Sequence, residues 1–275
     1  MNRYKIDVQY ITLITQDTRE RLLATPNANT NLILAVLESI DLAHEMASNF
    51  SASYPQEDLE GNQKVVALTL LVRLIDIFES IVILSAHGVG QELHSLFRVF
   101  LDAYFLAENV CADASFVATY INTDVVNRRR LINAARQSPH EFFRELNAYA
   151  TDDIREGLKQ KIDEQKLQGL RSEEYAKRAG CEHIYNSMYR TTSAAVHTSP
   201  RCLNEYFEVG QLGDVKKIKH PKNVAAMQSI LSGSASFLLK ILLGLSEVYG
   251  KEVDGRVVQL DEYIGGEECC FELDR

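Results

Sequence analysis

Four residues in the stretch Tyr185–Pro200 (YNSMYRTTSAAVHTSP), namely Tyr189, Arg190, Ser193 and His197, combine a phenol, a guanidinium, a hydroxyl and an imidazole. At 3.6 residues per turn, positions 189, 193 and 197 advance by about 40° per step, and 190 and 197 differ by only about 20°. A helix therefore carries all four on one face. An imidazole ordinarily titrates near neutrality, which makes His197 the natural proton donor or acceptor of the set. Ser193 with His197 has the residue types of a nucleophile and its base. No Gly-x-Ser-x-Gly elbow surrounds Ser193, which argues against a serine hydrolase. His197 also has a purely structural reading, because a histidine at a helix carboxy terminus suits the dipole and caps the helix.

Two earlier segments carry polar stripes of their own. Thr69, Arg73, Asp76 and Ser80 line one side of an otherwise apolar run, and Gln91, His94, Arg98 and Asp102 do the same among Leu93, Leu96, Phe97, Val99, Phe100 and Leu101. A charge inside a helical bundle must be paired or hydrogen-bonded, since leaving it alone costs several kcal/mol or more. One expectation is structural, with Arg98 bridging Asp102 and Arg73 bridging Asp76 along their own helices. The other is a polar cleft, where Tyr189, Arg98, Asp102, His94 and Arg73 bind a ligand and His197, Arg190 and Ser193 act on it.

The elements that must position these residues read as a string of helices. Apolar residues recur at helical spacing almost from end to end. The segments are approximately 3–24, 30–50, 63–87, 90–111, 115–136, 139–150, 152–167, 172–179, 182–196 and 222–249. Ser138-Pro139-His140-Glu141 has the chemistry of a helix start, Gly180 suits a helix end, and Pro200 lies beyond another. Residues 205–219 change pattern and predict a small β-hairpin around Gly210-Gln211-Leu212-Gly213-Asp214, while 51–62 reads as a connection. Strands do not alternate with helices, so a parallel sheet and a doubly wound nucleotide fold are excluded. The fold class expected is all-α, a multi-helix bundle. Residues 1–250 form a single helical domain in this reading, its helices over 1–60 readable as an appendage, and 251–275 form an acidic tail.

Composition fits that picture, with 46% hydrophobic and 24% charged residues in 275. Of the net charge of −9, the span from Glu252 to Arg275 carries −6, with eight acids against Arg256 and Arg275. The rest holds local basic runs, Arg128-Arg129-Arg130 with Arg136 and Lys216-Lys217-Ile218-Lys219, which are more often solvated faces than anion sites. Five cysteines (111, 181, 202, 269 and 270) show no CxxC pair or matching His spacing, so neither a structural zinc site nor a disulfide framework is expected, and without a Gly-rich phosphate loop no cofactor is expected. The amino terminus MNRYKIDVQY lacks the apolar run of a secretory signal, and the run 65–86 is interrupted by Arg73, Asp76 and Glu79. A cytoplasmic protein without a membrane span is expected.

Arg190, six intervening residues and His197 within a helical protein resemble the signature of the HEPN superfamily, the higher eukaryote and prokaryote nucleotide-binding helical domains. That resemblance implies a metal-independent ribonuclease acting as a symmetric homodimer, often in toxin-antitoxin or phage-defence systems. His197 would then move the proton of the RNA 2′-hydroxyl and Arg190 would steady the charge at phosphorus. Thr191 stands where Asn, Asp or His commonly follows the Arg. A second pair, Arg178 and His183, is interrupted by Gly180. Over roughly residues 65–245 the chain also resembles an uncharacterised, mainly bacterial all-helical family. The shared features are an Arg with an acid four residues on, here Arg98 and Asp102, and a late Tyr-x-x-x-Ser-x-x-x-His-x-Ser-Pro, here Tyr189, Ser193, His197, Ser199 and Pro200. RNA or a nucleotide is the partner the HEPN likeness implies; the uncharacterised family implies a fold and a shared cleft but carries no established activity. A non-enzymatic interaction module, with internal salt bridges and an acidic tail that docks a protein partner, is the alternative.

Overall fold

A computed structural model of the chain describes residues 4–6, 12–50, 52–54, 59–138, 140–197, 200–210, 213–219 and 223–266. It is a helical bundle. The long helices are α1 (Gln16–Leu23), α2 (Thr30–Asn49), α3 (Leu59–Ala86), α4 (Gln91–Ala112) and α5 (Phe116–Gln137), followed by the short α6 (Arg144–Tyr149) and by α7 (Asp152–Gln165). Next come α8 (Ser172–Arg178), α9 (Glu182–Ile184), a single π turn (Tyr185–Tyr189), α10 (Arg190–Val196) and α11 (Pro200–Leu203). α12 (Val224–Tyr249) and α13 (Gly255–Gly266) close the chain. Asn and Thr side chains start several of them: Thr15, Asn29, Thr151 and Asn223 each accept a hydrogen bond from a first-turn amide.

The core lies where α3 and α4 pack against each other and against α12 and α2. It is filled by Val36, Ile40, Leu71, Phe78, Phe97, Phe100, Phe105, Leu238 and Leu242, all nearly or fully inaccessible. α12 approaches α4 closely because two of its residues lack a side chain there. A Cβ at Gly244 would come within 3.1 Å of Cys111, and one at Gly233 within 3.3 Å of the Phe97 ring. By length and composition α12 could cross a membrane, yet most of its apolar window is buried in the bundle, where it serves as a core helix.

Several boundaries differ from the expected ones. In place of a helix from residue 3, Tyr4–Ile6 forms a strand β1 antiparallel to β2 (Ala52–Tyr54), inside the stretch read as a mere connection, and among the described residues the first helix is Gln16–Leu23. The start signal at 138–141 works through another atom. Ser138 accepts from the His140 amide, the His140 ring Nδ1 accepts from the Phe142 amide at 3.1 Å, and Glu141 pairs with Arg144 instead of reaching back. Pro139 lies outside the described residues. The hairpin is present as β3 (Phe207–Val209) and β4 (Val215–Ile218), antiparallel with a register shift after Glu208. Within the acidic terminal stretch, Gly255–Gly266 is helical and buries Val257, Leu260 and Ile264; residues 267–275 lie outside the described set.

The basic runs are mostly solvated faces, in part neutralised; Arg129 is the exception, half-buried, with its Nε inaccessible and without a hydrogen-bond partner among the described residues. Arg128 pairs with Asp124 and Arg136 with Asp152, and Lys216, Lys217 and Lys219 are exposed on the hairpin.

Candidate functional site

The polar face of α4 meets the π turn, α10 and the first turn of α8. Arg98 donates from Nε to Ser193 Oγ at 3.1 Å and from an Nη to the Tyr189 hydroxyl at 2.8 Å. The Tyr189 hydroxyl donates to Ser172 Oγ at 3.0 Å, and Ser172 donates to the Asp102 carboxylate. Ser193 passes its own proton to the Tyr189 carbonyl at 2.7 Å. The result is a directional chain from cation to carboxylate through two hydroxyls. Arg98 and Asp102 are a turn apart on α4 but, among the described residues, no ion pair joins them directly. Tyr189 and Ser172 are inserted between them.

Aromatic packing holds the phenol in place. Tyr189 is 4% exposed, stacks on Tyr185 with ring centroids 4.8 Å apart, and lies 4.8 Å from the Arg98 guanidinium carbon. Burial pushes the Tyr189 phenol above its ordinary range; the Ser172 hydrogen bond and Arg98 pull it down, and Asp102 adds to the rise. A neutral phenol suits its position, since it must donate to Ser172 while accepting from Arg98. The π turn that presents Tyr189 is the kind of local widening often found at functional sites.

His94 lies on the same side of α4 one turn before Arg98. It is half-buried, and burial lowers its pKa, while Glu205 from the 3₁₀ turn Asn204–Tyr206 raises it. Neutral imidazole is the favoured form there, able both to accept and to donate.

Residues 189–197 do not stay together on one cleft. Counted from Tyr189, Ser193, His197 and Arg190 lie at about 40°, 80° and 100° around the helix, and exposure follows that order: Tyr189 buried, Ser193 half-buried, His197 and Arg190 exposed. His197 caps the end of α10 through its backbone, and among the described residues no hydrogen bond links its ring to Arg98, Asp102 or Ser193. Arg190 lies over the Tyr185 ring at 5.8 Å. Arg73 is exposed, as is Asp76, on a side of α3 that faces solvent, so the two polar stripes of α3 and α4 do not satisfy each other. Thr69 and Ser80 there turn back to carbonyls of their own helix. Ser199 lies outside the described residues.

Three participants escaped the sequence reading. Ser172 is marked in the chain only as a helix start, and nothing local ties it to Asp102. Glu205 sits in a segment read as hairpin. Glu79, which the sequence shows only as an interruption of an apolar run, is fully buried and belongs to a separate cluster. It accepts from Thr12 Oγ1 at 2.6 Å and from the Leu13 amide at 3.2 Å, and lies 2.9 Å from His44 Nε2.

No curated protein and no solved structure matches the chain. A family model does match, over residues 64–214, a span that contains Arg98, Asp102, Ser172, Tyr189 and Ser193 together. Its description is "Family of unknown function (DUF5677)", and because the match takes in more than half of the chain, the protein belongs to that family.

Proposed function

We propose that the chain binds RNA or a nucleotide phosphate and, as its likeness to HEPN ribonucleases implies, cleaves RNA without a metal in a bacterial stress or phage-defence setting. One observation supports this reading more than any other. The π turn and α10 are tied along their inner edge by the Arg98 hydrogen bonds to Tyr189 and Ser193, while Arg190 at the start of α10 and His197 at its end are both exposed to solvent, about two turns apart. A cation and an imidazole on a rigid helix face are what transesterification at phosphorus requires. His197 takes the proton of the 2′-hydroxyl as that oxygen attacks phosphorus; the P–O5′ bond breaks, leaving a 2′,3′-cyclic phosphate, the departing 5′-oxygen takes a proton from water, and Arg190 steadies the charge on the phosphoryl oxygens. The reading implies a homodimer, in which paired α10 faces flank one RNA strand.

The test uses purified full-length protein, labelled RNA and EDTA. Wild type is expected to cut, with His197→Ala and Arg190→Ala each slower by about 10²-fold or more. Cleavage that survives both substitutions sinks the assigned site, and protein that neither cuts nor binds RNA removes the reading altogether.

A second reading, a non-enzymatic interaction module, draws on a different observation. The chain from Arg98 to Asp102 closes on itself, and a network that satisfies its own donors and acceptors holds helices together without any ligand.

A further inference from the structure

Far from α10 in sequence, a cavity of about 390 Å³ opens where α3 turns into α4. Its wall includes Arg21, Asn27, Ser85, His87, Asn223 and Met227, and among the described residues that line it there is no Asp or Glu. That absence is notable in a chain of net charge −9. The volume is within the range of small-molecule sites.

Two carbonyls at the end of α3 are already taken, Leu84 by the Val89 amide and Ser85 by the Gly88 amide, with Gly88 at φ 70° making the left-handed close of the helix. The carbonyls that end α1 are engaged as well, since Glu20 and Leu22 accept from Ala24 and Thr25. The 22-residue α4 starts nearby at Gly90, which has no side chain to cap the first-turn amides; its first turn carries one acid, the exposed Glu92, which is not part of the cavity wall. α12 also begins on this wall, and α2 begins three residues past Asn27; neither has an acid in its first turn, but both are already capped, by Asn223 and Asn29, which leaves α4 as the open start. Ser85 supplies an independent sign of a ligand. It is 2% exposed, lines the cavity, and its hydroxyl has no hydrogen-bond partner among the described residues. Buried hydroxyls are rarely left in that state.

From these features we infer that the cavity is a binding site for the phosphate group of a small phosphorylated metabolite. The α4 amides and the Ser85 hydroxyl donate to the phosphate oxygens, and Arg21 supplies the cation at the rim. Arg21 pairs with Asp17 across one turn of α1, both exposed, and the guanidinium has donors to spare beyond that single Nε contact. Met227 and the apolar part of the wall take the neutral body of the ligand. The site is independent of the reading of α10.

Isothermal titration and thermal unfolding with inorganic phosphate and with ribose 5-phosphate test the inference, at ionic strength matched with chloride. Binding of either, weakened about tenfold by Ser85→Ala and by Arg21→Gln, is the expected result. Saturation by inorganic phosphate alone would identify the free ion as the ligand, and tighter binding of ribose 5-phosphate the esterified group. Ser85→Ala removes only an unpaired hydroxyl, so its unfolding temperature without ligand is expected to stay level or rise, which separates loss of binding from loss of fold. No binding by wild type, or binding that both variants retain in full, would overturn the proposal.

Discussion

Tyr189 is the residue on which the polar cluster turns. Its hydroxyl is at once the acceptor for Arg98 and the donor to Ser172, so removing that one atom strands a buried donor on one side and an acceptor on the other. Tyr189→Phe is therefore expected to cost about 1–3 kcal/mol in urea unfolding, with little change in packing because the ring and its stack on Tyr185 remain. Combined with Ser172→Ala it should be clearly less than additive, by about 0.5 kcal/mol or more, since either change breaks the same path to Asp102. Additive costs would mean that the chain of hydroxyls has no energetic reality. The residue types of this cluster were visible in the sequence, and so was the spacing that put Tyr189 and Ser193 on one face. Ser172 was not, because a partner 70 residues from Asp102 leaves no periodic trace.

At the scale of elements, one arc of helix divides into two jobs. The roughly 100° between Tyr189 and Arg190 is wide enough for one edge of α10 to be buried on α4 while the other meets solvent. Sequence spacing could place the four groups on an arc but not say where the packing neighbour would cut it. The amino-terminal segment makes a similar point. Residues 12–14 carry no helix, yet they are tied to the middle of α3 by Glu79, which also holds His44 of α2. Replacing Glu79 with Ala leaves the Leu13 amide, the Thr12 hydroxyl and the imidazole short of a buried partner. A loss of about 3–5 kcal/mol is expected, accompanied by faster amide exchange at Leu13 and Ile14. Unchanged exchange there would show that the clamp is not what orders the segment.

For the whole molecule, the informative element is α13. An acidic terminal stretch invites reading as a solvated tail, but Val257, Leu260 and Ile264 recur at helical spacing and pack into the groove beside α2 and α12. Ile264→Ala is expected to destabilise by about 2–4 kcal/mol, whereas Glu262→Ala on the exposed side should stay within about 0.5 kcal/mol. Equal, negligible effects would return the segment to the status of a tail. The sequence by itself determined the helical class, most of the long helices, the hairpin, and the list of groups with chemistry in them. Periodicity and turn chemistry are local signals, and they survive without knowledge of neighbours. Tertiary structure alone decided which of those groups meet: that Arg98 is linked to Asp102 through Tyr189 and Ser172, that Arg73 faces water, that His197 is separate from the cluster, and that a cavity with no carboxylate among its described lining residues lies at the start of α4. The physical reason is that burial and hydrogen-bond partnership belong to pairs of elements distant in the chain, and a single helix face carries no record of what it will be packed against.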